Sequence, residues 1–169
     1  MLLWQTIAAV CAALGMAGML YLMQFGKNSP EAKLKKADAE FRPLDMRFHY
    51  GAKDVQSTLE RAGAEGRALM RRYWLLDFGF IACFGVLMTL LPYNLTDRGW
   101  LIVLMQGCAV ARALLDVLEN SLLLCCARRY PAQGPAALSG WATTLKFICL
   151  FAWIAGLFAA LFIRAFPVF

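Results

Sequence analysis

Residues 99–127 read GWLIVLMQGCAVARALLDVLENSLLLCCA. The stretch is long enough to cross a bilayer, for which about 20 mostly apolar residues suffice. It also carries Arg112, Asp116, Glu119 and Asn120. On a transfer scale each central charge costs about 2.5–3.5 kcal/mol, and each Leu or Ile returns about 0.3–0.6 kcal/mol. The balance is near zero or slightly unfavourable, so this helix depends on neighbours. With Arg112 as the origin and about 100° per residue, Asp116 falls near 40°, Glu119 near −20° and Asn120 near 80°. All four share one arc with Cys108 and Ala109. A charged arc on an apolar helix faces a bundle interior or a watery cavity.

The surrounding chain supplies such a bundle. Residues 1–26, 78–96 and 147–163 contain no Lys, Arg, Asp or Glu. The chain has 169 residues, 61% of them hydrophobic and only 17% charged. Soluble domains run nearer 45–50% apolar and 25% charged. These numbers exclude a disordered chain and argue against a water-soluble enzyme. Spans are expected at about 3–25, 73–92, 99–127 and 140–164. The fold class is therefore all-α: a four-helix transmembrane bundle forming a single membrane domain over 1–169. A helical cytoplasmic insertion over 26–72 lies between spans 1 and 2. The first segment lacks a basic leader and a clear cleavage site, so it reads as an uncleaved anchor.

Orientation follows from basic residues. Residues 26–72 hold eleven Lys or Arg, and Arg128 and Arg129 raise that side to thirteen; Arg98 and Arg164 are the two on the other side. Lys146 and Arg112 lie inside spans. The excess places 26–72 in the cytoplasm and both termini outside it. The net charge of +6 thus reads as topology and attraction to anionic lipid head groups. No aromatic–basic module points to nucleic acid.

Within the insertion, Asn28-Ser29-Pro30 predicts the start of a short helix from Pro30 to about Glu40. Pro43 breaks it. Leu44–Gly51 is aromatic and turn-like. Residues 52–62 predict a second helix with Val55, Leu59 and Ala62 on one face, closed by Gly63 in a left-handed conformation. A third helix runs from about 64 into span 2 through Arg71-Arg72-Tyr73-Trp74, an interfacial anchor. These helices either lie on the membrane surface or cap the bundle. Phe41, Leu44, Met46, Phe48 and Tyr50 form an apolar cluster that favours the cap.

Arg112 and Asp116, four apart, can pair directly, leaving Glu119 and Asn120 to find partners on other helices. Asp77 in span 2 and Lys146 in span 4 are the candidates. The expected site is a buried cluster of Asp77, Arg112, Asp116, Glu119, Asn120 and Lys146. Three carboxylates against two cations leave a formal charge of −1, which invites a proton, a cation or a cationic ligand. The plain alternative is that these groups only hold helices together, at about 0.6 kcal/mol per contact, with Asp77 and Lys146 snorkelling to the interface.

The residues Leu44-Asp45, Tyr50, Gly63, Gly66-Arg67, Tyr73 and Asp77, followed by Asp116-x-x-Glu119-Asn120, resemble a group of small four-span membrane proteins. The resemblance covers 44–120. It implies four spans and carries no activity or ligand.

Other chemistry is weakly supported. The six cysteines (Cys11, Cys83, Cys108, Cys125, Cys126, Cys149) all fall in predicted spans without a Cys-x-x-Cys pair and read as apolar fillers. His49 is the only histidine, so no metal site and no cofactor is expected. No phosphate loop or nucleophile–His motif occurs. Three functional classes remain. One is a protein that binds or transports a proton, a cation or a polar lipid head group at the buried site. The second is a structural or accessory subunit of a membrane complex. The third is a lipid-modifying enzyme with Glu119 or Asp77 as general acid or base. The expected partners are the bilayer and either a second copy or another membrane protein, since four spans are few for a lone carrier.

Overall fold

The computed structural model describes residues 3–131 and 133–166 and is all-helical, with no strand among them. Its helices are α1 (Leu3–Leu20), α2 (Pro30–Ala37), α3 (Ala52–Leu90), α4 (Pro92–Leu95), α5 (Gly99–Arg128) and α6 (Gln133–Ala165). A π-helical turn, Tyr21–Phe25, extends α1, and a 3-10 turn, Leu44–Met46, lies between α2 and α3. Four helices are long and apolar enough to cross a membrane: the one beginning at Leu3, α3 together with α4, α5 and α6. The outer ends of the expected 1–169 unit and Ala132 lie outside the described residues.

Each long helix packs antiparallel on the next. Gly79 lies beside Met19 and Gly15 beside Cys83, which sets α1 on α3. The Gln106 side-chain amide donates to the Thr89 carbonyl at 3.2 Å, fixing α3 on α5. Gly156 of α6 receives the Met105 side chain of α5. The α5–α6 pair is the most extensive, and α1 and α6 have no substantial packing on each other. The order α1–α3–α5–α6 thus leaves one side of the bundle open.

Local chemistry sets the boundaries of the segment between α1 and the long part of α3. The Ser29 side chain accepts from the Ala32 N–H at 3.3 Å and Pro30 stands at the first turn, a conventional N-terminus. α2 ends at Ala37, earlier than the expected Glu40. The cause is Asp38, whose carboxylate accepts the Glu40 N–H at 3.0 Å and folds the chain into a side-chain-closed turn. α3 begins where the Asp54 carboxylate accepts the Gly51 N–H at 2.7 Å. It is two helices joined at Gly63, with φ 63° and ψ −168°. The positive φ suits glycine, but the ψ is extended and not the left-handed helical value the sequence suggests. The break lets residues 52–62 fold over while residues 64–90 continue into the bundle.

Two apolar clusters hold the ends. At one end Leu34, Phe41, Leu44, Val55 and Leu59 pack with Met70, Trp74, Leu123, Leu124 and Ala136. The segment 30–62 is therefore seated on the bundle end through a shared core. Met46 and Phe48 depart from the expected apolar cluster and are exposed; the Phe48 ring instead leaves the cluster to lie against Phe147 and to stack on Phe151 of α6. At the other end Met88, Leu101, Met105, Ala109, Trp153 and Ala160 form the core, and the Trp153 ring N–H donates to the Met88 carbonyl at 3.1 Å. Cys11 is exposed on the outer face of α1, so it fills no core; the other cysteines are wholly or partly buried. Between the two apolar clusters lies a layer of charge.

Candidate functional site

α5 brings Arg112, Asp116, Glu119 and Asn120 to one face by helical spacing, and all four are buried, Glu119 and Asn120 completely. Ala109 of the same arc is also fully buried. The Arg112 Nη2 lies 2.9 Å from Asp116 Oδ2. Lys146, reaching across from α6, lies 2.6 Å from both Asp116 Oδ1 and Glu119 Oε2. Asn120 Nδ2 donates to Asp77 Oδ2 of α3 at 2.7 Å. The six side chains singled out in the sequence thus meet in the bundle interior. Asp77 and Lys146 are buried and paired, which excludes the snorkelling alternative for both.

Three further residues join them. The Tyr50 hydroxyl donates to Glu119 Oε1 at 2.8 Å. The Tyr73 hydroxyl donates to Asp45 Oδ2 at 3.3 Å, and Asp45 is buried. These three were not among the expected site residues because no helical periodicity links a loop residue such as Asp45 or Tyr50 to a helix face. For Asp45 and Tyr50 the only signal was their place in the 44–120 resemblance; Tyr73, read as part of an interfacial anchor, is instead buried one turn before Asp77 on α3. With Asp45 included, four carboxylates (Asp45, Asp77, Asp116, Glu119) face two cations (Arg112, Lys146), a formal −2 in place of −1.

Tyr50 is held by backbone as well as by its hydroxyl. Its carbonyl sits against Gly140 of α6, so closely that a Cβ there would collide with it. The absence of a side chain at Gly140 is what admits the loop. Outside the charged layer, His49 pairs its Nδ1 with Thr144 Oγ1 at 2.8 Å and takes no part in it.

Several polar atoms of the layer have no hydrogen-bond partner: Arg112 Nε and Nη1, Asp45 Oδ1 and Asn120 Oδ1. The Arg112 guanidinium also lies 4.5 Å from the centre of the Phe84 ring, a favourable cation–π placement. Burial pushes the Asp45 carboxyl well above the ordinary aspartate range, and the nearby Asp77 carboxylate adds to the effect. Burial, then Glu119, likewise raises the Tyr50 phenol, which keeps it a hydrogen-bond donor.

A cavity of about 270 Å³ adjoins this layer, lined by Asp45, Asp77, Arg112, Asp116 and Lys146 on its polar wall. Leu20 and Met23 at the end of α1, and Phe147 and Leu150 of α6, line its other side. The cavity therefore lies in the gap that the helix order leaves between α1 and α6. Among the described residues no group of three or more His, Cys, Asp or Glu is arranged to hold a metal ion.

No protein-family model, curated protein or solved structure matches the chain. The chemistry is read from the site alone. Its carboxylates can accept a proton or an ammonium group, its unused guanidinium N–H groups can donate to an anion, and no paired nucleophile is present among the charged groups described.

Proposed function

We propose that this protein is an integral membrane protein that binds a polar lipid head group in the charged layer. In this reading the four long helices span the bilayer, and residues 26–72 cap the bundle on the cytoplasmic side with both termini outside. The thirteen-to-two excess of Lys and Arg supports the orientation. The outer faces support the spanning: Leu14, Val103, Leu114 and Phe158 are all exposed, and in water such faces would mark a large sticking surface.

The observation that carries the ligand class is the cavity between α1 and α6. It has charged residues on one wall and apolar residues on another, and it lies between two helices that do not pack substantially on each other, so in a bilayer it would face lipid. A proton or small cation needs neither the width nor the apolar wall. A lipid needs both, with its head on the charges and its chains leaving through the gap. Structural glue alone leaves the unused hydrogen-bonding atoms of Arg112 and Asp45 without a purpose, since partly satisfied buried networks are costly.

The test is native mass spectrometry of the purified full chain. The expected result is a retained phospholipid on the wild type and severalfold lower retention in Leu150→Trp, which adds bulk to the cavity wall, in protein that still gives a cooperative thermal transition. Equal retention in a stable Leu150→Trp variant contradicts the reading.

A further inference from the structure

The charged atoms along the cavity are ordered, and the order selects a head group. Asp45 lies at the cap end, bonded to Tyr73. Asp77 stands one turn along α3 from Tyr73, paired with Asn120. Asp116 is one turn of α5 beyond Asn120, and Arg112 one turn further, over Phe84. Free acceptors therefore stand nearest the cap, and the free donors of Arg112 stand deepest. We propose that the cavity takes the phosphoethanolamine head group of a glycerophospholipid, with its ammonium at Asp45 and Asp77 and its phosphate at Arg112. This rests on the lipid-site reading above.

The match is one of polarity. In an ethanolamine phospholipid the ammonium is the outermost group, and the phosphate lies between it and the acyl chains. Placed in the cavity from the cytoplasmic leaflet, its ammonium reaches the cap and its phosphate stays at the level of Arg112. The chains then leave past Leu20 and Leu150. A primary ammonium has three N–H donors, which can satisfy the unpartnered Asp45 Oδ1 and share Asp77. Phe80 also lines the cavity, and an aromatic ring beside a cation is favourable. A choline group carries the same charge but has no N–H to give Asp45. An anionic head group meets a site of formal charge −2. A bare cation leaves Arg112 Nε and Nη1 unused.

The experiment titrates the full chain in non-ionic detergent, by calorimetry, with four probes: dihexanoyl phosphatidylethanolamine, the corresponding phosphatidylcholine and phosphatidylglycerol, and free O-phosphoethanolamine. A charge-assisted hydrogen bond gained or lost corresponds to about tenfold or more in affinity. The ethanolamine lipid is expected to bind at least that much tighter than the choline and glycerol lipids, and free O-phosphoethanolamine more weakly than the lipid. The bound ammonium favours the ionised form of Asp45, so Asp45→Asn is expected to lower affinity for the ethanolamine lipid about tenfold and to leave the glycerol lipid unchanged. Equal affinity for ethanolamine and choline lipids overturns the hydrogen-bonded ammonium, and preference for the glycerol lipid overturns the charge assignment; both leave the lipid site standing. Free O-phosphoethanolamine binding as tightly as the lipid overturns the lipid as source. Absence of binding to any lipid removes this proposal and the lipid-site reading together. The wild-type panel decides the head group even if Asp45→Asn fails to fold.

Discussion

Lys146 holds Asp116 and Glu119 at 2.6 Å each and is itself buried, so it is the most consequential single side chain in the charged layer. Replacing it by Met leaves Glu119 without a cation in an apolar surround and Asp116 with Arg112 alone. Breaking a buried pair in this way costs about 3–5 kcal/mol. Lys146→Met is expected to lower the thermal midpoint in detergent sharply, and adding Glu119→Gln to recover part of the loss; no recovery would show that the two do not act through each other. Tyr50→Phe removes one donor from Glu119 and is expected to cost about 1–3 kcal/mol by the same measurement. Asp45 gives a pH signature. Its folded-state pKa is raised, chiefly by burial and then by Asp77, with Glu119 and Asp116 pushing the same way and Lys146 opposing. The folded protein thus holds this proton more tightly than the unfolded chain. Its stabilisation is full below the unfolded value of about 3.9 and is lost as pH rises through the raised folded value. Asp45→Asn, which mimics the protonated form, is expected to flatten the fall in stability as pH rises above about 4 relative to wild type. Parallel wild-type and variant curves would contradict that assignment. None of these three roles is equally visible in the sequence: Lys146 stands out as a lone charge in an apolar run, whereas Asp45 and Tyr50 look like ordinary loop residues until the loop is folded.

The four long helices were legible because each combines length with an uncharged run, and the inward arc of α5 because 112, 116, 119 and 120 obey one helical spacing. The break at Gly63 and the early stop of α2 depend on single residues, and the sequence located the first but not the second, where the Asp38 side chain competes with the helix for the Glu40 N–H. What no periodicity could show is how the 44–51 segment docks. That docking needs Gly140, where the Tyr50 carbonyl lies against α6. Gly140→Ala is expected to push the loop away and cost about 1–3 kcal/mol, as overpacking does. The control is Gly107→Ala in α5, where an added Cβ meets nothing within 4 Å; it is expected to be neutral or to stabilise by about 0.5–1 kcal/mol. Thermal unfolding of the two variants side by side checks both, and equal effects would mean the close approach at Gly140 is not what seats the loop.

For the molecule as a whole, the proposal joins a topology to a site. Reporter fusions at Gly26 and Pro135 are expected to report the same, cytoplasmic, side, and a fusion at Arg98 the opposite one; any other pattern removes the thirteen-to-two argument. The open side between α1 and α6 was not legible in the sequence, because it depends on which helices pack and not on the character of any one of them. It is nevertheless the feature from which the lipid reading grows. The most direct test is an experimental density map of the full chain crystallised from a lipidic mesophase. The account predicts head-group density in the cavity between Asp45 and Arg112, with acyl chains leaving between α1 and α6. A cavity closed by protein, with α1 packed against α6 and no lipid inside, would contradict it.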